Sequence, residues 1–328
     1  MNQHHHDVLD WIAQGRVRPG AESDALRIAG LTPTAQQWRH FLDRMMLWLS
    51  AIFGGAAVIF FLAYNWADMG RYAKFGLAEA LLLMSLLACW RFDLQSVAGK
   101  ACLLLATLLV GALLALVGQT YQTGADTYEL FTAWALASFI WVVLAQLGAL
   151  WLVWLALLNL AAALYFSTFG GIWGIAFGPQ DQLWVLFALN TVALLAWETA
   201  AYFGIKHLRE RWPVRIVATA SGVLVTWLML FAIFDEGYQR SHISGAGVFL
   251  AYAAWMAAAY FYYRRVVQDL FVLAGGVLSL VIVLNAIIAK ALLHHNDAGG
   301  FLLIGVLIIG SSALGGIWLK KIGREMQS

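Results

Sequence analysis

Apolar and polar positions separate into two regimes. Up to Arg44 the chain alternates like a soluble protein: Val8, Leu9, Trp11 and Ile12 follow the i, i+3, i+4 spacing of a short amphipathic helix, stopped by Gly15 and Pro19. A second short helix is expected after Ser23. Thr32 ahead of Pro33 reads as an N-cap before a first-turn proline, and no breaker follows until Gly54, so one helix is predicted to run on into the apolar region. Trp38, Phe41, Leu42 and Met45 give that helix an apolar face suited to the lipid interface or to a partner protein.

Beyond Arg44 the apolar runs each approach the roughly 20 residues that cross about 30 Å of hydrocarbon. Ten are predicted: Met45 to Trp66, Phe75 to Trp90, Ala101 to Thr120, Leu130 to Gln146, Ala149 to Ser167, Leu183 to Phe203, Ile216 to Phe234, Gly245 to Tyr263, Leu270 to Ala289 and Gly300 to Leu319. The fourth and fifth are divided only by Gln146-Leu147-Gly148, because a single helix there would be too long for a bilayer. The expected class is an all-α integral membrane protein of about ten transmembrane helices. Residues 1–44 form a short N-terminal helical cytoplasmic region, 45–319 the transmembrane domain and 320–328 a cytoplasmic tail.

Composition agrees: 62% of residues are hydrophobic and 12% charged, which excludes a water-soluble globule. A net charge of +2 gives no argument for nucleic acid. Orientation follows from the basic residues. With the N-terminus inside, sixteen of the 20 Lys and Arg fall in inner segments, and only Arg71, Lys74, Arg240 and Lys290 fall outside. Both termini are then cytoplasmic. Prolines 19, 33, 179 and 213 lie outside the spans, and the pairs Gly54-Gly55, Gly275-Gly276 and Gly315-Gly316 suit close helix approach or local unwinding.

Of the charged residues only Glu79 and Glu198 fall well inside the spans, where an acid costs at least about 2 to 3 kcal/mol. Asn65, Gln119, Asn190 and Asn285 fall in the outer halves, while the inner halves hold little beyond Gln146 and Glu198. That asymmetry suggests a polar cavity open to the outside, with Glu79 as its acid. Span three ends in Gly118-Gln119-Thr120-Tyr121-Gln122-Thr123-Gly124-Ala125-Asp126, behind a small-residue face of Gly111, Ala115 and Gly118. Glu79 is expected near the Gln119 to Asp126 segment, where a Gln119 or Gln122 amide or the Tyr121 hydroxyl can donate to it. The expected binding residues are therefore Glu79, Gln119, Tyr121, Gln122, Asp126, Asn190 and Asn285.

The stretches FLDRMMLWLSAIFGGAAVIFFLAYNW, GRYAKFGLAEALL and above all GQTYQTGADTYELFTAWA resemble the bacterial predicted-membrane-protein family of domain of unknown function 2157. The resemblance covers roughly residues 8 to 135. It implies a bacterial inner membrane and marks Gln119, Tyr121, Gln122, Thr123, Gly124 and Asp126. It implies no activity.

Other chemistry is sparse. Cys89 and Cys102 lack metal-ligand spacing and read as packing residues; His242, Asp235, Glu236, His294, His295 and Asp297 read as solvated loop rather than a metal site. The segment Phe169 to Gln182 reads as a flat interfacial loop, and the basic loop Lys206 to Arg215 as attracted to anionic headgroups. No familiar enzyme motif occurs, and neither metal nor cofactor is implied. The expected function is transporter-like handling of a small solute or lipid through a cavity on the periplasmic side. A scaffold or sensor subunit that docks a partner at its N-terminal helices, and an unfamiliar enzyme acting on an envelope lipid, are the alternatives.

Overall fold

The computed structural model describes residues 8, 11–18, 20–30, 32–65, 67–169, 179–234, 245–292 and 298–326. Among them every regular element is helical. A short helix α1 (Glu22–Ile28) is followed by α2 (Ala35–Tyr64), α3 (Arg71–Arg91), α4 (Val97–Tyr121), α5 (Thr127–Ala145) and α6 (Gly148–Phe169). Then come α7 (Pro179–Tyr202), α8 (Arg211–Phe234), α9 (Gly245–Phe261), α10 (Leu270–Leu292) and α11 (Ala298–Glu325). A 3-10 turn, Lys206–Leu208, joins α7 to α8, and a π-helical turn, Tyr262–Val266, extends α9. Ten of these helices, α2 to α11, are long and apolar enough to cross a membrane. The predicted His294, His295 and Asp297 loop, the His242, Asp235 and Glu236 loop, and all of Phe169 to Gln182 between residues 170 and 178 lie outside the described residues, as do Leu9 and Asp10.

Each expected span falls on one helix, but the helix starts shift for local reasons. Helix α2 begins two residues after the expected proline start. Thr34, not Thr32, is its N-cap: the Thr34 hydroxyl accepts from the Gln37 amide at 3.2 Å and the Gln37 side chain accepts from the Thr34 amide at 2.8 Å. This reciprocal box satisfies two amide donors that a first-turn proline start would leave open. The break between α5 and α6 falls at the expected place, with Gln146 left-handed at φ 46° and ψ 45°. Helix α8 starts five residues before its expected span and takes in Arg211, Pro213 and Arg215, since the first turn needs no amide donor from proline.

The chain divides into two compact units, residues 1–112 and 113–328. In the first, α3 packs on the start of α4: the Ser85 hydroxyl donates to the Cys102 carbonyl at 2.8 Å, and the Cys89 thiol points at the Gly99 carbonyl at 3.7 Å. Helix α2 approaches α4 at Gly55, where a Cβ would sit 2.8 Å from Leu108 Cδ1. One glycine of each noted pair makes such an approach; in the second unit a Cβ on Gly315 would sit 2.5 Å from Val277, and one on Gly276 would meet Met256 at 3.4 Å.

In the second unit α8 is central. It packs against α6, α7, α9 and α10, while α11 packs on α10. Val214, Val217, Val225 and Leu228 of α8 are fully buried. Small hydroxyls tie the helices at mid-depth: Thr191 Oγ1 and Ser221 Oγ share a 2.7 Å hydrogen bond, Thr226 and Ser279 one of 2.6 Å, and the Tyr252 hydroxyl meets Ser279 at 2.9 Å. Bonds of this kind act as interhelical glue where apolar burial alone gives no driving force.

Candidate functional site

Among the described residues the densest polar structure lies where α7 ends, α8 begins and the π-helical turn leads into α10. Glu198 is in the last turn of α7 and only 7% exposed. A carboxylate so placed needs strong donors. Arg211, the first residue of α8, supplies Nη1 to both oxygens at 3.0 and 3.1 Å. Tyr263 donates to Oε1 at 2.8 Å and Tyr262 to Oε2 at 3.2 Å. Consecutive residues on a regular α-helix point about 100° apart. The π-helical turn, with Val267 bonded back to the Tyr262 carbonyl at 3.1 Å, is where both hydroxyls reach one carboxylate. Such turns concentrate at functional sites.

Asp269 closes the cluster from the other side. Its carboxylate accepts from Arg211 Nε at 3.2 Å and from Arg215 Nε at 3.0 and 3.2 Å, and it caps α10 by accepting from the Phe271 amide at 3.1 Å. Arg211 and Arg215, at i and i+4, also lie over the Tyr263 and Phe271 rings at 5.7 and 5.6 Å. Two acids and two guanidiniums balance. Arg211 Nη2, a donor, is buried with no hydrogen-bond partner.

Burial pushes the Asp269 carboxyl up, but the hydrogen bond and charge of Arg215, followed by those of Arg211, outweigh it and hold the group below the ordinary range. A depressed folded-state value means that Asp269 adds stability at any pH above its unfolded value of about 3.9, and that this contribution fades as pH falls below that through the folded value. Thermal unfolding of the wild type and Asp269→Asn in detergent should show a stability gap at pH 7. That gap should narrow only below about pH 4. A gap unchanged at acid pH would remove the ion pairs as its cause.

A groove of about 740 Å³ opens between α7 and α9 and takes in part of this cluster. Glu198 and Tyr262 line its polar end; Leu194 and Phe187 of α7, with Ala254 and Ala258 of α9, line its apolar length. Alanines spaced one turn apart on α9 leave the room that larger side chains would fill. Ala254, Ala258, Leu195 and Tyr202 are exposed, so the groove is open along one side. A second cavity of about 290 Å³ lies between α8 and α10, bordered by Gly222, Gly275, Gly276, Thr226 and Ser279.

The residues expected from sequence are distributed differently. Glu79 is exposed on α3, in the first unit. Gln119 and Tyr121 are exposed in the last turn of α4, and Gln122 follows in the left-handed conformation at φ 44°, with Gly124 at φ 68°. Asp126 precedes α5 without a side-chain capping bond. Asn190 is buried and donates to Asn159 Oδ1 of α6 and to the Leu186 carbonyl at 2.8 Å. Asn285 is buried on α10 and donates to Ser311 Oγ of α11 at 3.1 Å. These two asparagines therefore bind different helix pairs, and neither lines either cavity. Arg211, Tyr262 and Tyr263 were not expected as partners of Glu198, nor Arg215 and Asp269 as members of its cluster. The available signal was an acid one turn from the end of a span, facing arginines at i and i+4 across a short connection.

Residues 9–151 match the model of a family described as predicted membrane protein (DUF2157). That is the family which the GQTYQTGAD string resembles. No curated protein matches the chain, and no solved structure does. The matched region ends in α6, so the Glu198 cluster and its groove belong to the part of the chain beyond it.

Proposed function

We propose that this chain is a bacterial inner-membrane protein that takes a phosphate-bearing membrane lipid into the groove between α7 and α9. The observation that carries the proposal is a groove of about 740 Å³ that is apolar along its length and has the Glu198, Tyr262 and Tyr263 cluster lining its polar end. This volume is in the range of ligand sites, about 300 to 1,000 Å³. From Phe187 to Glu198 it follows eleven residues of α7, a rise of about 16 Å, close to one leaflet of hydrocarbon. An acyl chain suits the apolar length, and a polar headgroup suits the charged end.

Charge supports a phosphate at the mouth. The Arg209 guanidinium lies 3.4 Å from where a Gly204 Cβ would be, next to the groove residue Phe203, and Arg265 adjoins the groove residue Val266. Neither arginine is in an ion pair among the described residues. Free guanidiniums at a helix end attract anionic headgroups. On the orientation that the basic residues favour, this mouth faces the cytoplasm, so the proposal takes the lipid reading and places it opposite the periplasmic polar set. Gln119, Tyr121, Gln122 and Asp126 are retained as a proposed second contact surface on the periplasmic side, and Glu79, in the first unit, as a separate proposed contact.

Lipid retention tests the proposal. Ala258→Trp fills the groove from an exposed position, whereas Ala257→Trp, one residue earlier and outside the lining, serves as control. After extraction in mild detergent, bound phospholipid measured by native mass spectrometry should fall about tenfold or more in Ala258→Trp, at least ~1.4 kcal/mol, and stay near wild type in Ala257→Trp. Equal retention in all three proteins would refute the groove as the binding place.

A further inference from the structure

The two cavities described above share one wall. Trp255 of α9 borders both the groove between α7 and α9 and the smaller cavity between α8 and α10. The indole packs against α8 at Gly222, where an added Cβ would come within 3.0 Å of the ring. Gly222 thus leaves the space that the indole fills. The ring is also held at its polar edge, because Trp255 Nε1 donates to Ser221 Oγ at 3.0 Å, and Ser221 is in turn bonded to Thr191 of α7 at 2.7 Å.

We infer that Trp255 is the partition that keeps the groove and the second cavity apart, and so sets the bulk of the apolar chain that the groove accepts. The inference rests on the lipid reading above and adds to it the residue that decides chain selectivity. The smaller cavity is mostly apolar, and its Thr219, Thr226 and Ser279 hydroxyls are already hydrogen-bonded, so the space behind the ring suits hydrocarbon and offers little to a polar ligand. Removing the indole joins about 290 Å³ to the groove and leaves the charged end unchanged. An indole is a firm partition because its plane is rigid and its one donor is fixed.

The experiment reads chain selectivity, not binding alone. Wild type, Trp255→Ala and the milder Trp255→Leu are reconstituted in nanodiscs containing an equimolar series of phosphatidylglycerols with straight 14- to 22-carbon and methyl-branched chains. Protein-bound lipid is then profiled by mass spectrometry after transfer to detergent. Trp255→Ala should shift the bound population toward the longer and branched chains at least threefold relative to wild type, with Trp255→Leu between them. If Trp255→Ala does not fold, the Trp255→Leu shift decides. An unchanged profile in a folded variant that still binds lipid overturns the partition. Loss of lipid selectivity by Ala258→Trp with no effect on amount, or absence of bound lipid in wild type, instead overturns the groove reading on which it rests.

Discussion

Arg211→Ala is expected to destabilise the protein by about 3–5 kcal/mol, because it leaves an acid buried without its cation. Arg211 serves both carboxylates at once, with Nη1 on Glu198 and Nε on Asp269. Asp269 keeps Arg215 after the substitution, at 3.0 Å. Glu198 keeps only two tyrosine hydroxyls, which carry no charge to offset its own. The loss should therefore come mainly through Glu198, and a second substitution tests this. Adding Glu198→Gln to Arg211→Ala should recover a good part of the stability, since a neutral amide is far less costly to bury than a carboxylate. Arg211→Lys should fall between, because one ammonium lacks the planar fork that reaches both acids. Denaturant unfolding in detergent, followed by tryptophan fluorescence, measures all three. A loss below about 1 kcal/mol for Arg211→Ala would mean that the pair contributes no more than an exposed ion pair does.

How much of this was readable in advance divides along the physics of the signals. Span number and limits follow from hydropathy, which depends on each segment alone, so α5 and α6 were separable at Gln146 even without a charge between them. The same method misplaces helix ends. Arg211 and Arg215 are charged and so fall outside a hydropathy window, yet they form the first turns of α8 because Glu198 and Asp269, 13 and 54 residues away, receive them. Pairings between helix ends depend on packing, and no local pattern encodes it. Glu198 was legible as costly and its partners were not. Asn190 and Asn285 were legible as buried polar residues, but their spacing could not distinguish a cavity lining from bonds to Asn159 and Ser311. The π-helical turn at Tyr262 left no trace in composition or periodicity.

Trp197→Ala should cost about 3–5 kcal/mol, comparable to the loss of Arg211 but by a different route. Trp197 is buried among Leu155, Leu194, Val214 and Val217, so truncation opens a large cavity where α6, α7 and α8 meet. It stands next to Glu198 in sequence, on the neighbouring face of α7. Its indole Nε1 donates to the Leu208 carbonyl at 3.1 Å, which anchors the 3-10 turn Lys206–Leu208 back onto α7. That turn delivers Arg211 to Glu198. On the other side, a Cβ on Gly148 would lie 3.7 Å from the Trp197 ring and 2.8 Å from Pro213, so α6 has closed against this junction and leaves little room to collapse into a void. Trp197→Phe separates the two contributions, since it keeps most of the volume and deletes the donor, leaving the Leu208 carbonyl open. About 1 to 3 kcal/mol is expected for that change. If the anchor positions Arg211, Trp197→Phe should also weaken the acid sensitivity assigned to Asp269, because Arg211 is one of its two cations. A phenylalanine variant with unchanged stability and an unchanged acid profile would reduce Trp197 to a volume filler.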